Sequence, residues 1–256
     1  MVTKEIIYNI IDECTYKQYQ VKCSQRLTVS DTVKKAFQVC REETCNPLKP
    51  RKSEKAYFID EKGKIVFTKV GTKSGVSWDK SELREVYEEF GELHIEHNHP
   101  LYQVKQLPVF LSSDDVNMIA KSYGELSGGV VDDGQYVYKS ITCEGANGTR
   151  MAIVRGDNFN VTDKRNVSSL AMKYEREVTE YYQEYIDKIP NMYYLIKKDY
   201  LDSHSDVTMV TQEMMNGWYN EAEQVVFGDF NPYPIFKKYK PLFRDYNLNL
   251  TWEEGL

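Results

Sequence analysis

The stretch LHIEHNHP, residues 93–100, contains three of the four histidines in the chain. Its first four residues alternate apolar and polar, which is typical of a β-strand with one buried face. Side chains of a strand project alternately, so His97 and His99 share one face while His94 projects from the other. Pro100 ends the strand directly after them. The pattern predicts two imidazoles at a strand end that can hold one metal ion; a solvated pair is the alternative.

The segments on both sides of this strand predict a mixed sheet. They are a hairpin over 56–60 and 64–70 with Gly63 in its turn, helices over 79–90 and 112–126, and strands over 135–142 and 150–156. Turn residues and helix caps separate these segments from one another. Helices interleaved with hairpins predict an α+β fold, in which a mixed β-sheet carries helices on its faces.

The two ends of the chain have a different character. Apolar, β-branched runs predict short strands within residues 1–27, and a helix is predicted from Ser30. Its expected inner stripe is Val33, Ala36, Phe37 and Cys40. We therefore divide the chain into N-terminal strands (1–27), a sheet domain (28–155) and a mainly helical extension packed on it (156–256).

The C-terminal extension has a helical period from Val167 onward. Apolar and aromatic residues recur there at three- and four-residue steps: Leu170, Tyr174, Val178, Tyr181, Tyr185 and Ile189. Such a stripe predicts a helix that packs on the sheet rather than a ligand site. A last strand is predicted over 246–252, where YNLNLTW follows the helices.

Composition and charge exclude several classes of protein. With 41% hydrophobic and 28% charged residues, the 256-residue chain is composed like a globular protein. The net charge of −6 gives no reason to expect a nucleic-acid surface. No apolar run approaches the ~20 residues of a spanning helix, and the N-terminus lacks the features of a signal peptide. We expect neither a nucleic-acid nor a membrane partner.

The cysteines favour a reducing compartment. Their number, five, is odd, which suits a cytoplasmic protein better than a disulfide framework. Four of them lie near the N-terminus: Cys14, Cys23, Cys40 and Cys45. Their spacing contains no tight CxxC pair, so buried or free thiols are favoured over a structural zinc site.

A third metal ligand is predicted in FLSSDDV, residues 110–116. Ser112 has the position of a helix N-cap, and Asp115 then lies in the first helical turn, where the helix dipole favours a carboxylate. An Asp in a first turn is rigidly aimed, which also suits a ligand. Together with His97 and His99 it makes a His₂Asp set for zinc, and such a set leaves a fourth position open, as catalytic zinc sites do.

The sequence HxHP followed by SxxD resembles the signature of the JAMM metalloproteases, the metal-dependent branch of the JAB/MPN domains, and of the related RadC proteins. HNHP has the RadC form, and FLSSDDV is similar to the FLSSxDL run of deubiquitinating members. The family also uses a glutamate just before an early strand, and Glu54 holds that position. The resemblance covers roughly residues 28–155. Fifteen residues lie between His99 and Asp115, against about ten in the family, and we expect the longer loop to leave the ligands convergent.

The resemblance implies a zinc-dependent hydrolase of amide or isopeptide bonds, acting on a protein or peptide substrate such as a conjugate of a ubiquitin-like protein. It implies that His97, His99 and Asp115 bind Zn²⁺. Glu54 would be the catalytic base, and Ser112 would stabilise the oxyanion.

Three alternatives stay open. In the first, Glu54 is an ordinary solvated residue of a charged run, and Glu61 in the hairpin turn is the next candidate for the base. In the second, the domain is a catalytically degenerate, RadC-like or phage-associated module, and the tyrosine-rich helices after 167 bind a protein partner. The third is an HNH-like nuclease, which is disfavoured because the active site of such a nuclease needs widely separated residues and a basic DNA-binding surface.

Overall fold

The computed structural model describes residues 29–44, 52–73, 75–99, 109–128, 134–144, 149–228 and 230–253. The elements, in chain order, are α1 (Asp31–Thr44), β1 (Lys55–Ile59), β2 (Ile65–Val70), α2 (Lys80–Phe90), β3 (Leu93–Asn98), α3 (Ser113–Met118), α4 (Tyr123–Leu126), β4 (Tyr138–Glu144), β5 (Arg150–Arg155), α5 (Val161–Ile186), α6 (Ile189–Ser203), α7 (Gln212–Gly228), α8 (Tyr233–Arg244) and β6 (Leu248–Glu253). The strands predicted in residues 1–27 lie outside the described residues, as do Cys14, Cys23 and Cys45.

The strands form one mixed sheet in the order β2-β1-β3-β4-β5-β6. Strands β3 and β4 are parallel, and every other neighbouring pair is antiparallel. The predicted α+β fold is confirmed, and so is the last strand, which is β6 at the edge of the sheet. The C-terminal extension therefore adds a strand to the sheet as well as helices.

The histidine strand β3 lies inside the sheet, and all six of its residues are buried. One face of the sheet is covered by α1, whose predicted inner stripe is confirmed, since Val33, Ala36, Phe37 and Cys40 are all buried. The Phe37 and His94 rings form a T-shaped pair on this face, with ring centroids 6.3 Å apart. The opposite face carries the main hydrophobic core, which Ile95 enters from β3. A central strand between two packed faces holds its side chains in fixed directions.

Helix α5 supplies much of that main core. Leu170, Tyr174 and Val178 of its predicted stripe are buried, and the Tyr174 ring packs edge-on against Phe243 of α8 at 5.7 Å. The helix begins at Val161, six residues before the predicted start. The side chain of Asn160 accepts hydrogen bonds from the first helical N–H groups, and this cap starts the helix before its apolar stripe begins.

The single helix predicted over 112–126 is wrong, because the chain forms two short helices there, α3 and α4. Ser122 pairs with Tyr136 in an isolated β-bridge, which takes its backbone out of the helix. The Glu125 carboxylate accepts a hydrogen bond from the Ser122 N–H at 3.0 Å, so a second helix begins there. The sequence SYGE carries this capping box.

The β1–β2 hairpin is confirmed, with Gly63 at a φ of 80° in its turn. A Cβ atom on Gly63 would lie 2.6 Å from the carbonyl oxygen of Thr32, so only glycine fits where the turn meets α1. The predicted helix before β3 is confirmed as α2, which ends at Gly91. None of the helices in the described ranges is both long and apolar enough to cross a membrane.

Burial of His94 makes the stability of the protein depend on pH. Its Nδ1 lies 2.7 Å from the Ser140 hydroxyl, and the residue is 2% exposed. Burial, reinforced by Lys139, lowers the pKa of His94 to about 4. In the unfolded chain a histidine titrates near ~6.5. The unfolded state therefore binds more protons between these two values, and stability falls as the pH drops through that window.

We expect His94 to contribute on the order of 3 kcal/mol to the loss of unfolding free energy between pH 7 and pH 4. Urea unfolding of the wild type and of His94→Gln at both pH values measures this contribution. Other groups titrate in both proteins, so the difference between the two losses isolates His94. An equal loss in the two proteins would contradict the prediction.

Candidate metal centre

Three side chains from two separate parts of the chain meet at the end of β3. His97 is on the strand, His99 follows it, and Asp115 lies in the first turn of α3. The two Nε2 atoms of the histidines are 2.9 Å apart. Asp115 Oδ1 lies 3.1 Å from His97 Nε2, and Oδ2 lies 3.4 Å from His99 Nε2. The predicted ligands thus converge, although fifteen residues lie between His99 and Asp115.

This spacing fits a transition-metal ion such as zinc. Ligand atoms bonded at 2.0–2.1 Å in a tetrahedron lie about 3.3 Å from one another. The two histidine Nε2 atoms are 2.9 Å apart, and Asp115 Oδ1 lies 3.1 Å from His97 Nε2. One ligand atom from each of the three residues lies within 4.8 Å of the other two. Two imidazoles and one carboxylate are also a ligand set that zinc accepts with a fourth position left open. Within the described ranges, this is the only group of three or more His, Cys, Asp and Glu side chains arranged closely enough to bind a metal.

Ser112 orients the carboxylate of Asp115. Its backbone N–H and its hydroxyl each donate to Asp115 Oδ2 at 2.7 Å, and the Asp115 N–H donates back to the hydroxyl at 3.1 Å. Oδ2 is therefore tied to the helix cap, while Oδ1 is the carboxylate oxygen nearer to His97. Hydrogen bonds of this kind fix the direction of a metal ligand and tune its affinity.

A further contact ties α3 to the C-terminal extension. The Ser113 hydroxyl donates to Glu175 Oε2 at 2.6 Å, and its backbone N–H donates to Oε1 at 3.4 Å. Glu175 belongs to α5, and it holds the short helix that carries Asp115. Sequence reasoning missed Glu175, because no local pattern connects it with a residue 62 positions earlier.

Electrostatics make the group attractive to a cation. Burial alone would raise the pKa of Asp115, but His97 and His99 hold it well below its usual value. Burial alone would lower the pKa of His97, but Asp115 and then Glu54 raise it. The anionic carboxylate and the two imidazoles therefore offer a metal ion one negative charge and two neutral donors once the histidines are deprotonated.

Glu54 lies next to the metal centre. It is half-buried directly before β1, where its N–H donates to the Thr72 carbonyl at 2.7 Å and its own carbonyl accepts from the Gly71 N–H at 2.8 Å. The backbone N–H of Val76 donates to its carboxylate. Burial raises the pKa of Glu54, and the nearby His97 and His99 act in the opposite direction. The Asp115 carboxylate adds to the effect of burial, so Glu54 interacts electrostatically with all three ligands.

Glu61, the other candidate for the base, lies elsewhere. Its Oε1 is 3.6 Å from Nε2 of His94, the histidine that projects from the opposite face of β3. The Glu61 side chain is 57% exposed. The structure therefore brings Glu54, and not Glu61, to the His97 side of the sheet.

We expect the purified protein to bind about one zinc ion per chain, because the group offers one set of three ligands. Elemental analysis after gentle purification, and after zinc addition and gel filtration, measures the content. The double variant His97→Ala/His99→Ala should contain none. His94→Gln is the matched control: it removes a histidine of the same segment from the opposite face and should keep the zinc. A wild-type protein that takes up no metal would refute the site.

Ser112→Ala should weaken zinc binding about 10–100-fold, because Asp115 loses the hydroxyl that orients it. Competition with a chromophoric chelator measures the affinity. Ser122→Ala is the control, since Ser122 is the N-cap of α4 and its N–H and hydroxyl both donate to Glu125, but it contacts none of the three ligands. Equal zinc affinities of the two variants would show that the Ser112 hydroxyl acts only on helix stability.

No family model, curated protein or solved structure matches the chain. The resemblance to the JAMM and RadC proteins therefore depends on the residues and motifs of this sequence.

Proposed function

We propose that the protein is a zinc-dependent hydrolase, resembling the JAMM isopeptidases, that cleaves an amide or isopeptide bond. The observation that carries the proposal is the convergence of His97, His99 and Asp115 at the end of a buried strand. Glu54 beside this group supplies a carboxylate for proton transfer. A three-ligand set with an adjacent carboxylate is the arrangement of hydrolytic zinc sites.

When bound, zinc supplies a Lewis acid that polarises the scissile carbonyl and lowers the pKa of a water molecule. The chain supplies the proton transfers. The Glu54 carboxylate takes one proton from the attacking water, whose oxygen forms a bond to the carbonyl carbon. The carbon–nitrogen bond then breaks, and Glu54 gives the same proton to the departing amine. The products are an amine and a carboxylic acid, which carries the second proton of the water and releases it to solvent, and Glu54 returns to its starting state.

The predicted role of Ser112 as oxyanion donor stays a prediction. Its hydroxyl proton is engaged with Asp115 Oδ2 at 2.7 Å. A hydroxyl has one proton to donate, so donation to substrate requires the group to turn away from Asp115. The contact that supports a role for Ser112 is its orientation of the ligand.

The substrate class follows from the resemblance: a protein whose lysine side chain is joined to the C-terminus of a ubiquitin-like protein. A second candidate is a degenerate module that binds a protein partner through the C-terminal helices. The observation that favours it is a group of large, exposed apolar side chains on and between α6 and α7: Tyr194, Leu195, Met209 and Tyr219. The hydrolase needs the Glu54 carboxylate as its base, whereas the binding module does not.

We expect Glu54→Gln to lower hydrolysis by roughly a hundredfold or more while zinc content stays at the wild-type value, because glutamine keeps the shape of the side chain and loses the base. The probes are a lysine-linked ubiquitin dimer and a defined peptide mixture, with products identified by mass spectrometry.

Glu61→Gln is the matched control for this experiment. It removes the other candidate carboxylate, which faces His94, and should leave the rate within about twofold of wild type. Cleavage of neither probe by the zinc-loaded protein, or equal rates for Glu54→Gln and wild type, would overturn the enzymatic proposal and leave the binding module.

A further inference from the structure

The side chain of Asn98 continues the hydrogen bonding between β1 and β3 after their ladder ends. The last residue pair of the ladder is Ala56 with His97. Beyond it, the Lys55 N–H donates to Asn98 Oδ1 at 2.8 Å, and Asn98 Nδ2 donates to the Ser53 carbonyl at 3.3 Å. The side-chain amide of Asn98 is thus hydrogen-bonded to the backbone of Ser53 and of Lys55, the residues on either side of residue 54.

Asn98 is also placed between two ligands. His97 precedes it and His99 follows it, and both project from the opposite face of the strand. The Asn98 side chain is fully buried, so its amide is held by hydrogen bonds rather than by water. One short side chain therefore connects the backbone that carries the two imidazoles to the backbone that carries Glu54.

The chemistry of the contact requires an amide. The backbone around residue 54 presents one donor, the Lys55 N–H, and one acceptor, the Ser53 carbonyl. A primary amide offers both an acceptor and donors on the same planar group, whereas a carboxylate offers only acceptors. A buried N–H that loses its partner destabilises the structure, so an apolar residue here would leave Lys55 unsatisfied.

The other side of residue 54 is held by the loop after β2. A Cβ atom on Gly71 would lie 2.2 Å from the Gly75 carbonyl oxygen, so the loop closes tightly there. Gly71 N–H donates to the Glu54 carbonyl, and Val76 N–H donates to the Glu54 carboxylate. Residue 54 thus lies between this loop and the Asn98 amide.

We propose that Asn98 is a positioning residue that sets the place of Glu54 relative to His97 and His99; its catalytic consequence rests on the proposed hydrolase function. Asn98 touches neither substrate nor metal in this role. A base must stand within a few tenths of an ångström of its working position, so a displaced backbone at residue 54 lowers the rate without removing a ligand.

The first test measures the hydrogen bond from the Lys55 N–H to Asn98 directly and needs no substrate. In Asn98→Ala, amide hydrogen exchange at Lys55 should accelerate about tenfold or more, because its acceptor is gone. Asn98→Asp keeps an acceptor and should restore most of the protection at Lys55. Ser140→Ala removes a buried hydroxyl of β4 on the face of the sheet from which Asn98 projects, and it should leave the exchange rate at Lys55 unchanged. Zinc affinity should stay within about threefold of wild type in all three variants. Unchanged exchange at Lys55 in Asn98→Ala, or equal acceleration in Ser140→Ala, overturns the proposal.

The second test uses a double-mutant cycle with Glu54→Gln on the lysine-linked ubiquitin dimer. Asn98→Ala alone should lower kcat about tenfold or more with little change in KM, and it should add almost nothing once Glu54 is already glutamine. A general loss of stability would lower the rate in both backgrounds. If Asn98→Ala fails to fold, Asn98→Asp tests the Ser53 bond alone: it keeps the acceptor for Lys55 and loses the donor to Ser53, so it should lower kcat by less, again only when Glu54 is present.

The two proposals fail in different ways. An unchanged kcat in the folded Asn98 variant, beside an inactive Glu54→Gln, overturns the positioning role and leaves the hydrolase intact. No cleavage by the wild type overturns the hydrolase, and the exchange rate at Lys55 then decides alone whether Asn98 holds residue 54.

Discussion

Side chains of β3 alternate between two packed faces, and the arrangement of the candidate site depends on this constraint. His97 and His99 project from the face where α3 brings Asp115. His94 and Asn98 project from the opposite face, which α1 covers. All six residues of the strand are buried, so neither set can turn over without exposing the other. A shift of one residue in register would exchange the two sets completely.

The α1 face contains a buried ionic cluster beside the same strand ends. Arg150 Nη2 lies 2.9 Å from Glu144 and 3.5 Å from Glu96, and the guanidinium stacks over Phe37 at 5.3 Å. Both carboxylates are 1% exposed. Loss of one partner in a buried ion pair destabilises a protein by roughly 3–5 kcal/mol. Arg150 of β5 therefore stabilises the ends of β3 and β4 that adjoin the histidines.

The C-terminal extension takes part in the same architecture. Strand β6 pairs with β5 along the whole length of both strands, and Glu175 of α5 holds the first residue of α3. Tyr174, the neighbour of Glu175, is buried in the main core and donates to Met151 Sδ of β5 at 3.1 Å. The helix that orients Asp115 is thus anchored to the sheet through α5.

The sequence by itself determined the features that depend on near neighbours. The strand ending in HNHP, the hairpin around Gly63, the inner stripe of α1 and the cap at Ser112 follow from side-chain period and capping chemistry, which act over a few residues. The His97–His99–Asp115 group was predicted from such local placements together with a family resemblance. Tertiary structure alone decided the β-bridge from Ser122 to Tyr136, the bond from Glu175 to Ser113 and the Asn98 amide beside residue 54. Those contacts join segments 14 to 62 residues apart, and only the packed sheet brings such segments together.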